Sequence, residues 1–282
     1  MSNQDKTVVS VRDLVVGQLN QDPTGGKYSA LVEYGSFEIK AGDFVLVKGR
    51  NGYGKSTFLR LFHLQGYHYF EVASGDILFC EEGFPAVSIH HYSNHELSRL
   101  NRSISYIEQE EHFFNGGSAY TYIRKACELA LEHHKRLTPK QKKERLRDVD
   151  RVIEDYFVRY LKPSFKCEYK TFRKKNVRAW SGGQQKMINV LSGIIKAKLC
   201  DLRLVVMDEP LNNLDACNKN ILNSLIADLR HGEVAIIAIT HCQIFDGVNK
   251  VLLLEEVREG LRRATLHDRV EPAHTECLED YR

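Results

Sequence analysis

The chain has no long apolar run. Nothing in it approaches the ~18 consecutive apolar residues of a membrane-spanning helix, and Val234–Ile239 is the kind of short run a buried strand gives. A membrane role would therefore need a partner that does the spanning. Cysteine pairing is missing too. The seven cysteines (Cys80, Cys127, Cys167, Cys200, Cys217, Cys242, Cys277) are odd in number and never form C-x-x-C, so neither a disulfide framework nor a zinc site follows. There is no excess of one charge: 40 Lys+Arg stand against 37 Asp+Glu, a net +3, which argues against a polybasic binder. The start, MSNQDKTVVS, lacks the basic-then-apolar pattern of a secretory signal. A reduced, cytosolic protein is expected. With 43% hydrophobic and 27% charged residues, the 282-residue chain has the composition of a globular protein. At roughly 100–200 residues per domain it is one large domain or two small ones.

Strand signals open the chain at Val8–Val11 and Leu14–Val16, and Asn20–Lys27 is a loop by composition. Phe37–Ile39 and Phe44–Val47, around a turn at Gly42, read as a hairpin or two adjacent strands. Asp76–Phe79, Val87–Ile89 and Ile104–Ile107 are strand-like, the last after a polar stretch. From Ser118 to about Phe165 the pattern turns helical, with Tyr122, Ala126, Leu129 and Ala130 expected on one face and Val152, Ile153, Tyr156 and Phe157 on another. A charged connector holding Pro139 separates the two. A helix bearing Met187, Val190, Leu191, Ile194 and Ile195 follows, then the strand Leu202–Met207, the helix Asn218–Leu229 and the strands Val234–Ile239 and Val251–Leu254. Near-continuous apolar strands imply a sheet covered on both faces. The expected fold is α/β: a core domain over residues 1–257, an inserted helical subdomain at about 115–180, and a polar C-terminal tail at 258–282.

Gly49-Arg50-Asn51-Gly52-Tyr53-Gly54-Lys55-Ser56 fits G-x-x-x-x-G-K-[ST] between a strand and a helix. This P-loop turns backbone N–H groups of the Gly49, Asn51, Gly52 and Gly54 region inward on phosphate oxygens. Lys55 is placed to reach the β- and γ-phosphates, Ser56 to ligate Mg²⁺, and Thr57 to add a hydrogen bond. LRLVVMDE at 202–209 is a buried strand ending in carboxylates. Asp208 is then the acid aimed at Mg²⁺, and Glu209, one residue on, the general base that polarises water. Ser181-Gly182-Gly183-Gln184-Gln185 opens a helix, a second anion-binding start on the same chain. Two such starts with one set of hydrolytic residues suggest a composite site made by two copies.

Over roughly residues 8–257 these motifs resemble the ATP-binding cassette (ABC) ATPases, whose signature has the form L-S-G-G-Q. The resemblance implies a P-loop NTPase core with an ABC-type mixed sheet, an antiparallel β part and a helical subdomain. It implies that Gln109, after SISYIE, belongs to a Q-loop contacting Mg²⁺ and water. It further implies that Asp215 in EPLNNLDA belongs to a D-loop, and that His241 is the switch histidine at the γ-phosphate. Segments 73–79 and 96–114 look exporter-like. Trp180 departs from the aliphatic first residue of the signature, and Tyr53 stands where a small residue is usual, where it could crowd the phosphates or reach the opposing copy. Tyr28 lies at about the right distance upstream to stack on adenine.

The function expected from this resemblance is an ATP-hydrolysing cassette using ATP and Mg²⁺. Two copies, or a copy and another cassette, would close head-to-tail, with Ser181 and Gly183 of one facing the nucleotide of the other. It would energise a transporter whose transmembrane subunit is a separate chain, lying on the cytoplasmic face of a membrane through that partner. The alternative is a soluble ABC ATPase acting on nucleic acid, ribosomes or a protein. Specific nucleic-acid binding is not expected: the basic stretch Lys166–Arg178 has no RRM, KH or helix-turn-helix pattern beside it.

Overall fold

The computed structural model describes residues 6–20, 27–63, 70–81, 83–109, 113, 117–132, 137–240 and 245–268. In chain order the elements are β1 (Thr7–Leu19), β2 (Tyr28–Lys40), β3 (Phe44–Gly49), α1 (Lys55–Arg60), β4 (Phe70–Phe79), β5 (Val87–Ser88) and α2 (Asn94–Ser103). There follow β6 (Ile104–Ile107), α3 (Ala119–Glu132), α4 (Pro139–Tyr156), α5 (Lys162–Phe165), α6 (Tyr169–Lys174) and α7 (Gly182–Leu199). Last among the described residues come β7 (Leu204–Asp208), α8 (Ala216–His231), β8 (Ala235–Ile239), β9 (Lys250–Arg258) and β10 (Leu261–Asp268). Two compact units result: Met1–Leu100 with Ala235–Arg282, and Asn101–Val234.

In the first unit the strands run β5-β4-β1-β2-β10-β9-β3-β8. The outer part, β5-β4-β1-β2, is antiparallel, whereas β3 pairs in parallel with both β8 and β9. The hairpin reading for residues 37–47 is therefore corrected: β2 and β3 follow each other in sequence but do not pair. Every residue of β3 except Lys48 is buried, as a strand covered on both faces requires. Its entry is locked by polar groups. Asp43 accepts from the Lys40 N–H (2.7 Å) and from Asn249 (3.1 Å) and lies 3.2 Å from the Lys250 ammonium. Asn249 in turn accepts from the Phe44 N–H at 2.7 Å.

The stretch read as polar before Ile104 is α2, started by a capping box: Ser93 Oγ accepts from the Glu96 N–H, and the Glu96 carboxylate accepts from the Ser93 N–H. Residues read as tail include β10, which fills the place between β2 and β9. The loop at 20–27 and the remainder of the tail lie mostly outside the described residues.

β1 is one strand with a bulge, where Asp13 adopts φ 43° and exchanges hydrogen bonds with Ser36. The bulge brings the Asp13 backbone onto β4: a Cβ at Gly75 (φ 74°) would sit 2.2 Å from the Asp13 carbonyl oxygen. Gly75→Ala is expected to destabilise the fold by about 1–3 kcal/mol. Urea unfolding measures it, and an unchanged midpoint would contradict this packing.

The second unit pairs β6 and β7 in parallel and packs helices around α7. Its core includes Ala119, Ile123, Cys127 and Leu131 from α3 and Val149, Ile153, Tyr156 and Phe157 from α4 and the π-helical turn Phe157–Leu161. The expected α3 face was thus misplaced by one position. Ile123 and Cys127 are buried at helical spacing, while Leu129 is 42% exposed, because the stripe runs i, i+4, i+8 from Ala119. Thr138 caps α4 with Pro139 at its first turn, which makes the charged connector a helix start.

Candidate functional site

Gly49 ends β3 at φ 149°, and a Cβ there would lie 2.7 Å from the Leu254 carbonyl on β9. Only glycine allows the strand to pass that close before the chain turns. Gly52 and Gly54 also take positive φ, 79° and 97°. Lys55 folds back into the loop that precedes it. Its buried ammonium donates to the carbonyls of Gly49 (2.7 Å) and Arg50 (3.0 Å) and reaches Asn51 Oδ1 at 3.5 Å. Tyr34 holds the far side of the loop, its hydroxyl donating to the Gly54 carbonyl at 3.1 Å and its ring stacked 4.9 Å from Phe58. Burial pushes the Tyr34 phenol well above its ordinary range, so it remains a donor.

An open cleft of about 310 Å³ lies along this loop. Asn51, Gly52, Gly54, Lys55, Ser56 and Thr57 line one wall; Val16, Ala30, Val32 and Phe70 form an apolar floor from the sheet. Tyr28 is not among the lining residues. Its ring lies close against Gly17, where a Cβ would sit only 2.3 Å from it, and its hydroxyl donates to Glu71. The Tyr53 hydroxyl donates to Glu256 (3.3 Å), and the Arg262 guanidinium lies 5.5 Å from the centroid of its ring.

In the second unit, buried β7 delivers Asp208 (8% exposed) and Glu209 (7%). Glu209 takes φ 46°, a left-handed conformation costing a non-glycine residue about 1 kcal/mol. Asn212 donates to its carboxylate through Nδ2, a partner that sequence reasoning missed. Asp215 is engaged locally, accepting from the Asn218 N–H at 2.8 Å as the cap of α8.

Ser181 caps α7 in a capping box with Gln184, while Ser181 and Gly182 stay exposed. Gly183 is needed for packing: a Cβ would lie 3.1 Å from the Asn213 carbonyl. Trp180 is buried against Phe165 (4.9 Å between centroids) with the Lys175 ammonium 3.7 Å from its ring centroid. The aromatic ring in place of an aliphatic residue thus anchors the helix start. Part of the basic stretch is spent in the same way, Arg173 lying over Tyr120. Gln109 is exposed just past β6. Lys186, buried on α7 and also missed in the sequence, donates to the carbonyls of Glu108 (2.9 Å) and Gln109 (2.6 Å). Its signal was a lysine on an otherwise apolar helix face. His241 lies outside the described residues.

A family model described as ABC transporter matches residues 32–212. The chain belongs to that family. It is an ATP-binding cassette of the ABC ATPase type. Among curated proteins the cassette is similar to the ATP-dependent lipid A-core flippase of Hahella chejuensis, 26% identical over 254 residues, covering 88% of this chain and 38% of that protein. It is also similar to the lipopolysaccharide export system ATP-binding protein LptB of Haemophilus influenzae, 23% identical over 207 residues, 73% of this chain and 72% of that one. The cassette therefore spans well under half the length of the flippases it matches. Among solved structures, cbiO1 of Clostridium perfringens, part of the transporter complex cbiONQ, matches with TM-score 0.62 at 20% identity over 94% of this chain and 89% of that one. A cassette solved as a dimer in a post-hydrolysis state with ADP and Pi matches with TM-score 0.60 at 16% identity, covering 92% and 98%. At these identities the likeness is one of fold, the mixed α/β fold of ATP-binding cassettes. Among the described residues no helix is long and apolar enough to cross a membrane.

The Lys186 tether generates a prediction. Lys186→Met leaves two carbonyls without their cation and should cost about 1.5–3 kcal/mol. Amide exchange should rise locally at 107–109. Full protection there would show that the tether is dispensable.

Proposed function

We propose that the cassette hydrolyses Mg·ATP as one of two copies and energises a transporter whose transmembrane subunit is a separate chain. The observation that carries this reading is the glycine-turned loop with Lys55 and Ser56 along the cleft, in a member of the ABC family. Lys55 leaves its carbonyl partners for the β- and γ-phosphates, a cation exchanging neutral acceptors for charged ones. Thr57 and the N–H groups of the Gly49–Gly54 turn hold the remaining oxygens. Ser56, Asp208 and Gln109 offer a hydroxyl, a carboxylate and an amide oxygen, the hard oxygen set that suits Mg²⁺. When bound, that ion neutralises charge developing between the β- and γ-phosphates. Glu209, oriented by Asn212, accepts the proton of the attacking water, and His241 contacts the γ-phosphate side. Ser181 and Gly183 of one copy face the nucleotide held by the other, and Asp215 lies in the segment that joins the copies. The relatives' names support the transport reading, being an ATP-dependent flippase and the ATP-binding protein of an export system. Its place is then at a membrane surface through the partner.

Lys55→Ala should abolish ATP binding, as measured by calorimetry; unchanged affinity and turnover would refute the phosphate-loop assignment. Glu209→Gln should keep ATP binding and lose about 10²–10⁴ in turnover, the usual cost of a lost general base. Losing the negative charge also removes repulsion against the triphosphate. The variant should therefore accumulate as a dimer with Mg·ATP, and Ser181→Arg in the same background should return it to monomer. Light scattering with and without ATP reads both. A monomer throughout, even with a copurified membrane partner, would sink the two-copy mechanism.

A further inference from the structure

The cleft has a wall for phosphates but no aromatic from the segment where sequence reasoning looked for one. Tyr28 is occupied on Gly17. What the floor does contain follows from strand register. Val72 on β4 pairs with Val16 on β1, Val16 with Val32 on β2, and Val32 with Arg262 on β10. Cross-strand partners share a face, so this row runs across the sheet with Arg262 at its end. One step along, Phe70 and Ala30 flank Gln18 in the same way. Of these, Val16, Gln18, Ala30, Val32, Phe70 and Arg262 line the cleft.

Arg262 is the floor's planar cation. Its Nε–H is buried and makes no hydrogen bond among the described residues. The Tyr53 ring lies beside the guanidinium, 5.5 Å from its centroid, and is itself held by Glu256. Glu256 is also the β9 residue paired with Arg262. A carboxylate next to the guanidinium lowers the local positive potential, which disfavours a phosphate as its ligand. A flat, weakly hydrated cation at the edge of an apolar floor suits a flat aromatic ring.

We propose that Arg262 is the nucleobase-contacting residue of this cleft: its guanidinium, backed by Tyr53, packs against the base of the nucleotide lying on the Val16–Ala30–Val32–Phe70 floor. The proposal rests on the reading that the cleft holds a nucleoside triphosphate with its phosphates at the Lys55 loop. The base is gripped by a residue from the last described strand, far along the chain from the strand that supplies Val16 and Gln18. Stacking of this kind accepts any base, so ATP and GTP should depend on Arg262 alike.

The test compares ATP with inorganic tripolyphosphate by calorimetry on the full chain. Arg262→Ala should weaken ATP about five- to 150-fold, the range of one base-stacking contact, and tripolyphosphate by less than about twofold. Arg262→Lys should not restore ATP affinity, because an ammonium has no plane. If Arg262→Ala does not fold, Tyr53→Leu removes the backing ring with Arg262 in place and should weaken ATP alone. Equal losses for both ligands would make Arg262 a phosphate contact and overturn the proposal; so would no loss for either. Lys55→Ala separates the two levels. If it binds both ligands like the wild type, the nucleotide reading of the cleft fails. If it abolishes binding while Arg262→Ala binds ATP normally, only the role of Arg262 fails.

Discussion

The close approach of Gly49 to Leu254 sets the course of the phosphate loop. With no side chain at Gly49, β3 can stay paired to β9 up to its last residue and then leave the sheet at once. The loop that follows is closed on itself by the Lys55 ammonium, which donates to the Gly49 and Arg50 carbonyls. Tyr34 and Phe58 support that ring from beneath. A charge held by neutral carbonyls is a charge kept in reserve: a phosphate offers a stronger acceptor at little cost in rearrangement. The same loop leaves Tyr53 pointing toward β9 and β10, which ties the cleft to the end of the chain.

In the second unit α7 plays the organising part. Its first turn carries the exposed Ser181 and Gly182, Gly183 faces the Asn213 carbonyl, and Lys186 reaches the end of β6. Three separate motifs of the sequence thus hang on one helix. That helix is held in place by Trp180, seated among Phe165 and Phe172. Two carboxylates are buried at the end of β7, and Glu209 adds a left-handed backbone. A buried carboxylate on a left-handed backbone fits the general-base role proposed for Glu209.

Two of the proposed site residues, Asp215 and Ser181, are fixed by local structure. Each caps its own helix, Asp215 at α8 and Ser181 at α7. Capping holds the side chain in one orientation, so in the proposed two-copy arrangement a second copy would meet a preset surface instead of a mobile one.

The motifs and the helix and strand types were legible in the amino-acid sequence because they rest on local rules. Glycine at positive φ, a buried apolar run ending in acids, and helical spacing on α7 all act within a few residues. The sequence alone also carried the family, through the order of those motifs. Pairing was not legible. That β2 and β3 part company, and that Leu261–Asp268 forms a strand between β2 and β9, depends on partners far away along the chain. The same holds for side chains whose meaning comes from a distant neighbour. Lys186 reads as an oddity until it meets the Gln109 carbonyl, and Tyr28 as a free ring until it meets Gly17. Arg262 reads as one of several charges on a polar tail until the sheet sets it beside Val32. Periodicity records which face of an element is apolar, but only tertiary structure decides what that face is laid against.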